Sequence, residues 1–514
     1  MNARQSIRIV ADAHALSAFV PALAERLARR PGSSVTVEIS STGAMRDTAL
    51  ETLLTLERMV LRRGRSCWSD LIGEDRLNAL LGIPSTAEPD IVIDLTEAGV
   101  EHATAKVLRP LYDGAPGESA LASALFFNGT PQISILSSSP GEEVVVVANG
   151  VASLEAASGI GGAMEAVWSR VLMLIEKALA SPRETGQAPT RAVHPLTRSD
   201  VVRRSSKMTA MAAARAAYRL CCHAPHWRVG WRHTTEAQDV WSRRDLGGKA
   251  WNILADPGDH FYADPFPFRH GGRDHLFFED LDHKTNKGII SVVVFDEDGV
   301  PGPVVPVIEE PWHLSYPFLI EADGEIWMIP EASLSGEVSI YRAVDFPHRW
   351  QRHGALLSGL EAADATVVQH EGRFYMFAVV RDGVGGYSDA LSIWHADGLF
   401  DPWLPHAGNP VMVDDRSARP AGNFVIQNGA LMRPVQDCRH GYGAALNLAR
   451  IDHLDPEHFE QSIETHLAPG VAAWPGRRLH TLNRAGTLEA IDGSIIRPKL
   501  GLAASVVDRA NRPI

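Results

Sequence analysis

The first 180 residues alternate short apolar runs with amphipathic stretches. Apolar runs predict strands at residues 7–11, 35–39 and 90–95, with further strands at 132–136 and 143–149. Apolar residues at helical spacing predict helices over 16–30, 44–62 and 163–179. This alternation predicts an N-terminal α/β domain over residues 1–180 with a parallel, Rossmann-like sheet.

The predicted sheet lacks the glycine pattern of a dinucleotide site. No GxGxxG follows the first strand, and Gly159, Gly161 and Gly162 come too late in the chain to serve as that loop. We therefore expect no cofactor. Two alternatives are left open. The sheet either carries a site for a nucleotide sugar or a phosphate, or forms a structural domain that has no catalytic role.

Residues 181–241 form the predicted linker, which contains a basic, alanine-rich helix over 207–220. The cations in this helix and just before it are Arg203, Arg204, Lys207, Arg215 and Arg219. A helix of this kind either docks between domains or contacts a membrane surface, an assembly complex or a phosphate-bearing ligand.

Beyond Trp241 the pattern changes to short β-type runs and turns. Five segments align, each with an apolar strand, a turn and a second apolar strand, around Asp264, Tyr316, Asp364, Ala421 and His480. The steps between these positions are 52, 48, 57 and 59 residues, which is typical of four-stranded propeller blades. We predict a five-bladed β-propeller over residues 242–500, followed by a tail over 501–514.

Hairpin geometry places several polar residues at one mouth of this propeller. In an antiparallel hairpin the start of the first strand lies beside the end of the second. Asp264 is therefore expected near Glu279, Tyr316 near Glu331, and Arg419 near Asp437.

Carboxylates in a concave, aromatic-lined site are what glycosidic chemistry requires. We expect Asp264 to act as base, Glu331 as acid and Asp364 as an orienting or tuning group. Each has a structural alternative: Asp264 as a turn cap, Glu331 as a solvated residue or a partner for Arg342, and Asp364 in a hydrogen bond between blades.

The expected substrate-binding residues are Glu279, Tyr316, Arg419, Arg433, Asp437 and His480. Arg419 and Arg433 either hold an anionic group or neutralise carboxylates in a structural network. His480 is either a proton carrier or an interior histidine. No histidine spacing typical of zinc is present, so we expect no metal.

Composition narrows the class of partner and the compartment. The 514-residue chain has a net charge of −13, which disfavours nucleic acid. Its four cysteines show no CxxC pair, residues 1–10 lack the apolar core of a secretory signal, and no run is long enough to span a membrane. We expect a cytoplasmic location.

Three resemblances to known families refine these expectations. The run ADPF from Ala263 and the separated acids resemble the five-bladed propellers of family 43 glycoside hydrolases, which implies an aspartate base in the first blade. Residues 226–493 resemble the propeller domain family named after the N-terminal part of plant glucosamine inositolphosphorylceramide transferase, through HWRVGWR, ADPFPF, FFED, SYPF, WMIPEA, RPAG and RPVQDC followed by GYG. The run DIVIDLT from Asp90 resembles formyltransferase-like domains in fold.

The leading hypothesis is a carbohydrate-active protein of glycan, glycolipid or polysaccharide assembly. Glycosyl transfer or hydrolysis is expected at the propeller mouth, on a carbohydrate or nucleotide-sugar substrate that carries an anionic group. One alternative is a non-catalytic glycan-binding or scaffold module. Another is a nucleotide-sugar or formyltransferase-like enzyme that uses the N-terminal domain.

Overall fold

The structure is a computed structural model that describes residues 5–41, 46–61, 68–73, 88–180 and 186–512. It divides into two compact units. The first contains the chain up to Ala214 together with residues 382–386, and the second contains residues 215–381 and the chain from Tyr387 onward.

The first unit is built around one sheet and its flanking helices. Its elements are β1 (Gln5–Asp12), α1 (Phe19–Ala28), β2 (Ser33–Ser40), α2 (Thr48–Leu61), β3 (Ile91–Asp94), β4 (Lys106–Tyr112), β5 (Ala115–Pro116), α3 (Gly117–Ser123), β6 (Gln132–Ser138), β7 (Val145–Val151) and α4 (Gly159–Ala180). The strand order is β2-β1-β3-β4-β6-β7, with β5 beside β4.

The sheet is mixed. Strands β1 to β4 run parallel, whereas β6 and β7 run antiparallel to their neighbours. The prediction of an α/β domain is confirmed, but only half of the sheet has the predicted parallel arrangement. The strand β4, which lies at the junction, was not predicted because Lys106, Arg109 and Pro110 interrupt its apolar pattern.

A long helix, α5 (Arg198–Cys221), links the two parts of the chain. It contains the predicted basic helix and begins nine residues earlier than expected. Val201 is its one buried residue, so most of the helix faces solvent. No helix among the described residues is both long and apolar enough to span a membrane.

The second unit is a β-propeller of five sheets, with a short helix α6 (Val240–Arg243) between two of its early strands. The strands that precede blade one are β8 (Cys222–His223), β9 (Trp227–His233) and β10 (Asn252–Ile253). Blade one contains β11 (His260–His270), β12 (Arg273–Asp282), β13 (Lys287–Val294) and β14 (Val305–Ile308).

The next three blades follow in chain order. Blade two contains β15 (Ser315–Ala322), β16 (Glu325–Glu331), β17 (Glu337–Asp345) and β18 (Arg349–Ser358). Blade three contains β19 (Glu361–His370), β20 (Arg373–Arg381), β21 (Ala390–Ala396) and β22 (Leu404–Pro405), with β23 (Met412–Val413) also paired to β21. Blade four contains β24 (Val425–Gln427), β25 (Ala430–Asp437), β26 (Ala445–Leu454) and β27 (Phe459–Leu467).

Blade five closes the ring with strands from both ends of the propeller. Its inner strands are β28 (Leu482–Ala485) and β29 (Leu488–Ser494), and its outer strands are β9 and β10. Strand β9 pairs with β29 from Trp227 opposite Ser494 to His233 opposite Leu488. The propeller therefore begins before the predicted boundary at residue 242, because β9 is needed to complete the fifth blade.

The predicted C-terminal tail is also structured. It follows β30 (Arg497–Pro498), which pairs with β8, and contains the helix α7 (Gly501–Ala510).

A buried ion pair ties β9 to β29. Arg232 Nη2 lies 2.7 Å from Glu489 Oε2, both side chains are fully buried, and the guanidinium stacks over Trp251 at 3.9 Å. Arg232 also donates to the carbonyls of Gly247 and Lys249. Each charge is compensated only while the other is present.

We expect Arg232→Met to lower the free energy of unfolding of the propeller by about 3–5 kcal/mol, because it leaves the Glu489 carboxylate buried without its partner. Arg352→Met, which removes an exposed partner of Glu337, is the matched control and should cost less than about 1 kcal/mol. Urea unfolding of both variants measures the difference. Equal losses of unfolding free energy in the two variants would contradict a stabilising role of the Arg232–Glu489 pair in closing blade five.

Candidate active site

The mouth is built from a local distortion that recurs in the first three blades. The first strand of each has a register shift, between Ala263 and Phe266, between Ser315 and Phe318, and between Ala363 and Thr366. At each shift one non-glycine residue has a left-handed backbone: Asp264 at φ 49°, Tyr316 at 44° and Asp364 at 55°. Such strain is costly and concentrates at functional sites, since it aims a side chain that a regular strand would place elsewhere.

The Asp264 carboxyl is buried, and its Oδ1 contacts two neighbouring side chains. Thr481 Oγ1 donates to its Oδ1 at 2.6 Å, and His480 Nδ1 lies 3.4 Å from the same oxygen. Its backbone N–H donates to Asp492 Oδ2 at 3.0 Å. Burial raises the pKa of Asp264 to about 6, although the nearby His480 imidazole opposes the rise.

Asp492 organises this part of the mouth. Its Oδ1 accepts the backbone N–H groups of His480 and Thr481, both at 3.0 Å, and its Oδ2 lies 2.5 Å from His480 Nδ1. Burial disfavours the charged imidazole, but the carboxylates of Asp492 and Asp264 outweigh it and raise the pKa of His480. The protonated form of His480 is thus favoured beside Asp264.

Asp364 forms a second group with Arg419 and Glu331. Arg419 Nε donates to Asp364 Oδ2 at 2.6 Å, and Gln436 Nε2 donates to the same oxygen at 3.2 Å. Glu331 Oε2 lies 3.9 Å from Arg419 Nη2, and Ser333 donates to Glu331 Oε1 at 3.1 Å. Burial raises the pKa of Asp364 to about 7; Arg419 opposes this rise and the neighbouring Glu331 adds to it.

Tyr316 links three blades beneath these carboxyls. Its hydroxyl accepts from the N–H of Gly422 at 2.7 Å and lies 2.8 Å from Thr366 Oγ1. Thr366 Oγ1 in turn donates to the backbone carbonyl of Asp364 at 3.1 Å. Because Gly422 supplies one proton and Thr366 gives its own to Asp364, the Tyr316 hydroxyl donates to Thr366. Tyr316 therefore positions Asp364 and has no exposed surface of its own.

Glu279 is the fourth buried carboxyl. His313 Nδ1 accepts from the N–H of Gly288, and its Nε2 lies 3.2 Å from Glu279 Oε1. Burial raises the pKa of Glu279 well above its ordinary value, and the charges of Asp264 and Glu331 add to the rise. Burial and the neighbouring charges thus favour the protonated form of Glu279.

Aromatic rings line one side of the mouth. Trp227 stacks on His480 at 3.8 Å, and Tyr442 lies beneath the Arg419 guanidinium at 4.6 Å and beside His480 at 5.2 Å. Gly443 allows this approach, since a Cβ there would lie 2.9 Å from the Trp227 ring. Tyr442 is partly exposed, whereas Trp227 is buried behind His480.

Two predicted substrate-binding residues lie elsewhere. Arg433 donates to the carbonyls of Ser417 and Ala418 and to Gln461, over the Phe377 ring. Arg433 contacts no carboxylate and is only 1% exposed. It lies four residues before Asp437 along β25, which places it about 13 Å from the mouth end of that strand. The predicted pair of Arg419 and Arg433 is therefore not formed.

Asp437 is held by Arg439, whose Nε and Nη2 donate to its two carboxylate oxygens at 2.9 and 2.5 Å. Burial opposes ionisation, but these hydrogen bonds outweigh it and lower the pKa of Asp437. The neighbours of Asp437 are Arg439, His466 and Asp415, a group separate from the carboxyls of the mouth.

Asp492 was missed by the sequence analysis. It lies in β29, the second strand of blade five, two residues before the strand ends at Ser494. The repeat alignment extended to Gly493 and contained the signal.

Among the described residues, two sets of side chains have donor atoms close enough together to hold a cation. The first is Asp264, His480 and Asp492; the second is the exposed set His453, Asp455 and His458 on blade four. In the first, a cation would compete with the proton on His480.

The first unit contains a cavity near the carboxyl ends of β1 and β3. Its lining includes Asp12, Tyr112, Glu118 and Trp168. Arg46 donates to both oxygens of Glu118, at 2.5 and 2.7 Å. Burial raises the pKa of Asp12 and of Glu118. Crevices at this edge of an α/β sheet are common ligand sites, so a role for this unit stays open.

The propeller matches a known family model. A model described as "Glucosamine inositolphosphorylceramide transferase 1, N-terminal" matches residues 253–491, as the resemblance predicted. Curated relatives of the same name are 33% identical over 230 residues in Arabidopsis thaliana, covering 43% of this chain and 30% of the relative, and 33% identical over 234 residues in Oryza sativa subsp. japonica, covering 44% and 31%. The chain spans less than a third of the length of these relatives.

Solved structures with a similar fold include glycoside hydrolases. Zg3597, a family 117 glycoside hydrolase of Zobellia galactanivorans, is 11% identical, with a TM-score of 0.34 over 49% of this chain and 79% of that one. An α-L-arabinanase of Cellvibrio cellulosa complexed with arabinohexaose is 16% identical, with a TM-score of 0.31 over 39% of this chain and 77% of that one.

The mouth predicts an unusual dependence of stability on pH. Asp264 and Asp364 bind protons more readily in the folded protein than in the unfolded chain, where aspartate titrates near 3.8. The free energy of unfolding should therefore fall as the pH rises from about 4 to 7. The raised pKa of His480 adds to the fall above about 6.5, where histidine in the unfolded chain loses its proton. Asp264→Asn should reduce the fall by on the order of 2 kcal/mol.

Denaturant unfolding at a series of pH values measures this dependence. The matched control is Asp323→Asn, an exposed turn residue. A fall of the same size in wild type and Asp264→Asn would show that the Asp264 carboxyl is not desolvated as described.

Proposed function

We propose that the propeller mouth catalyses glycosyl-group chemistry on a carbohydrate substrate, in the assembly of a glycan or glycolipid. The observation that carries this proposal is the pair of buried, conformationally strained carboxyls at Asp264 and Asp364, whose pKa values rise to about 6 and about 7. One group is mostly ionised at neutral pH while the other retains a proton part of the time. Acid and base roles on a sugar require that separation.

The roles follow from the neighbours of each carboxyl. Asp264 receives hydrogen bonds and lies beside the His480 cation, both of which favour its ionised form as base. Asp364 and Glu331 share the Arg419 guanidinium, and the charge of Glu331 helps to raise the pKa of Asp364. We assign the acid to this Glu331–Asp364 pair, with Arg419 and Tyr316 as positioning residues.

The charge of the mouth favours a neutral or polyhydroxylated ligand group. Arg419 is already neutralised by Asp364, and His480 by Asp492. The carboxyl groups outnumber these cations, so an anionic group would meet unfavourable charge, whereas sugar hydroxyls can donate to the carboxylates. Tyr442 supplies a partly exposed ring beside them. The expectation of an anionic group at the mouth is therefore replaced.

The relatives that match this propeller support sugar transfer over hydrolysis. They are named as transferases of glucosamine inositolphosphorylceramide, and the match lies on the part of the chain that carries the carboxyls. Transfer to a lipid-linked acceptor is therefore the reaction to be tested first, with hydrolysis as its water-accepting counterpart.

A second candidate is a glycan-binding module without turnover. It is favoured by the engagement of the candidate base: Asp264 is 4% exposed, and its Oδ1 already accepts from Thr481. Under this reading the mouth holds a saccharide and the strain serves shape alone.

Kinetic comparison of Asp264→Asn and Glu331→Gln with wild type separates the two candidates. The screen uses nucleotide sugars with lipid-linked acceptors, and oligosaccharides with water. We expect each variant to lose at least about a hundredfold in kcat while it retains ligand affinity, because a general acid or base contributes about 10²–10⁴ to the rate.

Two controls define the outcome. Asp437→Asn, in the separate acidic group, should retain turnover, and Glu118→Gln tests the cavity of the first unit. Loss of turnover in Glu118→Gln, with full activity in both mouth variants, would transfer the reaction to the first unit. Saccharide binding that both mouth variants retain, without turnover by wild type, would establish the binding module.

A further inference from the structure

Two exposed segments of the second unit meet beside the propeller mouth. Strand β8 pairs with β30, with Cys222 opposite Pro498. The pairing extends outward, because the Lys499 N–H donates to the Cys221 carbonyl at 2.9 Å and Lys499 Nζ donates to the Arg219 carbonyl at 2.7 Å. The end of α5 and the start of α7 are thereby held side by side.

Large apolar side chains cover this junction and face solvent. Leu220 is 78% exposed, Leu500 76%, Leu502 89% and Val506 63%. Leu502 is the most exposed large apolar residue in the described part of the chain. Scattered exposed leucines are ordinary, but four in adjoining segments form a patch that calls for a partner.

Helix α7 has its apolar residues on the outside. It is attached to the propeller through polar contacts: Arg497 Nη1 donates to both oxygens of Asp508, at 2.8 and 2.6 Å, and Arg228 donates to the Asn511 carbonyl. Ala504 is its one buried residue. Leu502 and Val506, four residues apart, share the outer face, which is the reverse of a helix that packs on a core.

The same surface is basic in an acidic protein. Its exposed cations are Arg215, Arg219, Lys499, Arg509 and Arg512. Asp508 is the one carboxylate in residues 215–221 and 497–512, and it is paired with Arg497. Against a net charge of −13 for the whole chain, this is a local concentration of positive charge.

We propose that the surface formed by residues 215–221 and 499–512, the helix-pair surface, docks onto a lipid bilayer that contains anionic lipid. Leu220, Leu500, Leu502 and Val506 enter the boundary between headgroups and acyl chains, and the five cations bind the headgroup phosphates or carboxylates. Apolar side chains surrounded by arginine and lysine are the combination by which peripheral helices bind membranes.

The helix-pair surface lies at the mouth end of the propeller. Asp492 is at the mouth, β29 ends two residues later at Ser494, and β30 begins at Arg497. On the other segment, β9 begins with Trp227, which stacks on His480. Docking therefore brings the mouth near the bilayer, where a lipid-linked saccharide would be presented. That consequence rests on the proposed function, whereas the docking itself does not.

Sedimentation of the full-length protein with sucrose-loaded vesicles tests the proposal. The vesicles contain phosphatidylcholine alone, or phosphatidylcholine with about 30% phosphatidylserine. We expect at least about tenfold tighter binding to the anionic vesicles, weakened by high salt because surface charges are screened. Leu502→Asp/Val506→Asp should abolish binding, and Arg215→Gln/Arg219→Gln should reduce it and its salt dependence.

Matched controls separate this surface from general effects of charge and exposure. Ile426→Asp replaces a residue 76% exposed on the hairpin at the opposite end of blade four, and Arg349→Gln removes an exposed cation from the far end of blade two. Both should bind vesicles as wild type does. Circular dichroism and melting temperatures establish that all variants are folded.

Three outcomes would overturn the proposal. In the first, the wild-type protein fails to sediment with anionic vesicles. In the second, Leu502→Asp/Val506→Asp binds them as tightly as wild type. In the third, light scattering shows a dimer that Leu502→Asp/Val506→Asp dissociates while vesicle binding is absent, which would assign the surface to a second copy of the chain. None of these readouts depends on turnover, so failure here leaves the proposed function intact.

Discussion

The pairing of β9 with β29 is the constraint on which the propeller depends. Without β9 the fifth blade would consist of β28 and β29 alone, and the ring would expose an unpaired edge. The closed ring places blade five against blade one, so that the N–H of Asp264 meets the carboxylate of Asp492 and the Thr481 hydroxyl meets that of Asp264. The contacts that define the candidate base are therefore contacts across the closure of the ring, and the buried pair of Arg232 and Glu489 stabilises the same junction.

The arrangement of the mouth lowers the stability of the folded protein. Three first strands are distorted to a left-handed residue, and four carboxyls are buried within reach of one another's charge. Hydrogen bonds from Arg419, Thr481 and the backbone offset part of this loss of stability. The pKa values of Asp264 and Asp364 stay raised, which shows that the offset is incomplete. An arrangement that destabilises the ionised protein at neutral pH is characteristic of a site maintained for chemistry or recognition.

Much of this arrangement was present in the sequence pattern. The repeat alignment predicted five blades and equated Asp264, Tyr316 and Asp364, which share the same backbone distortion, because blades of one size repeat the same hairpin. The alignment did not show how far along its strand a residue lies from the mouth. Arg433 was therefore predicted to bind substrate, although its side chain donates to the backbone carbonyl of Ser417. Ring closure by β9 escaped the pattern because its pairing with β29 spans more than 250 residues. The distortion itself, the engagement of Asp492 and the exposure of α7 depend on tertiary contacts that no local periodicity encodes.

The most direct measurement of the central claim is a crystal structure of the protein with a bound saccharide. We expect a sugar ring at the propeller mouth beside Tyr442, with hydroxyl groups within hydrogen-bonding distance of the Asp264 carboxyl and of the Asp364–Glu331 pair. A saccharide bound in the cavity of the first unit, with the mouth unoccupied at saturating ligand, would contradict it.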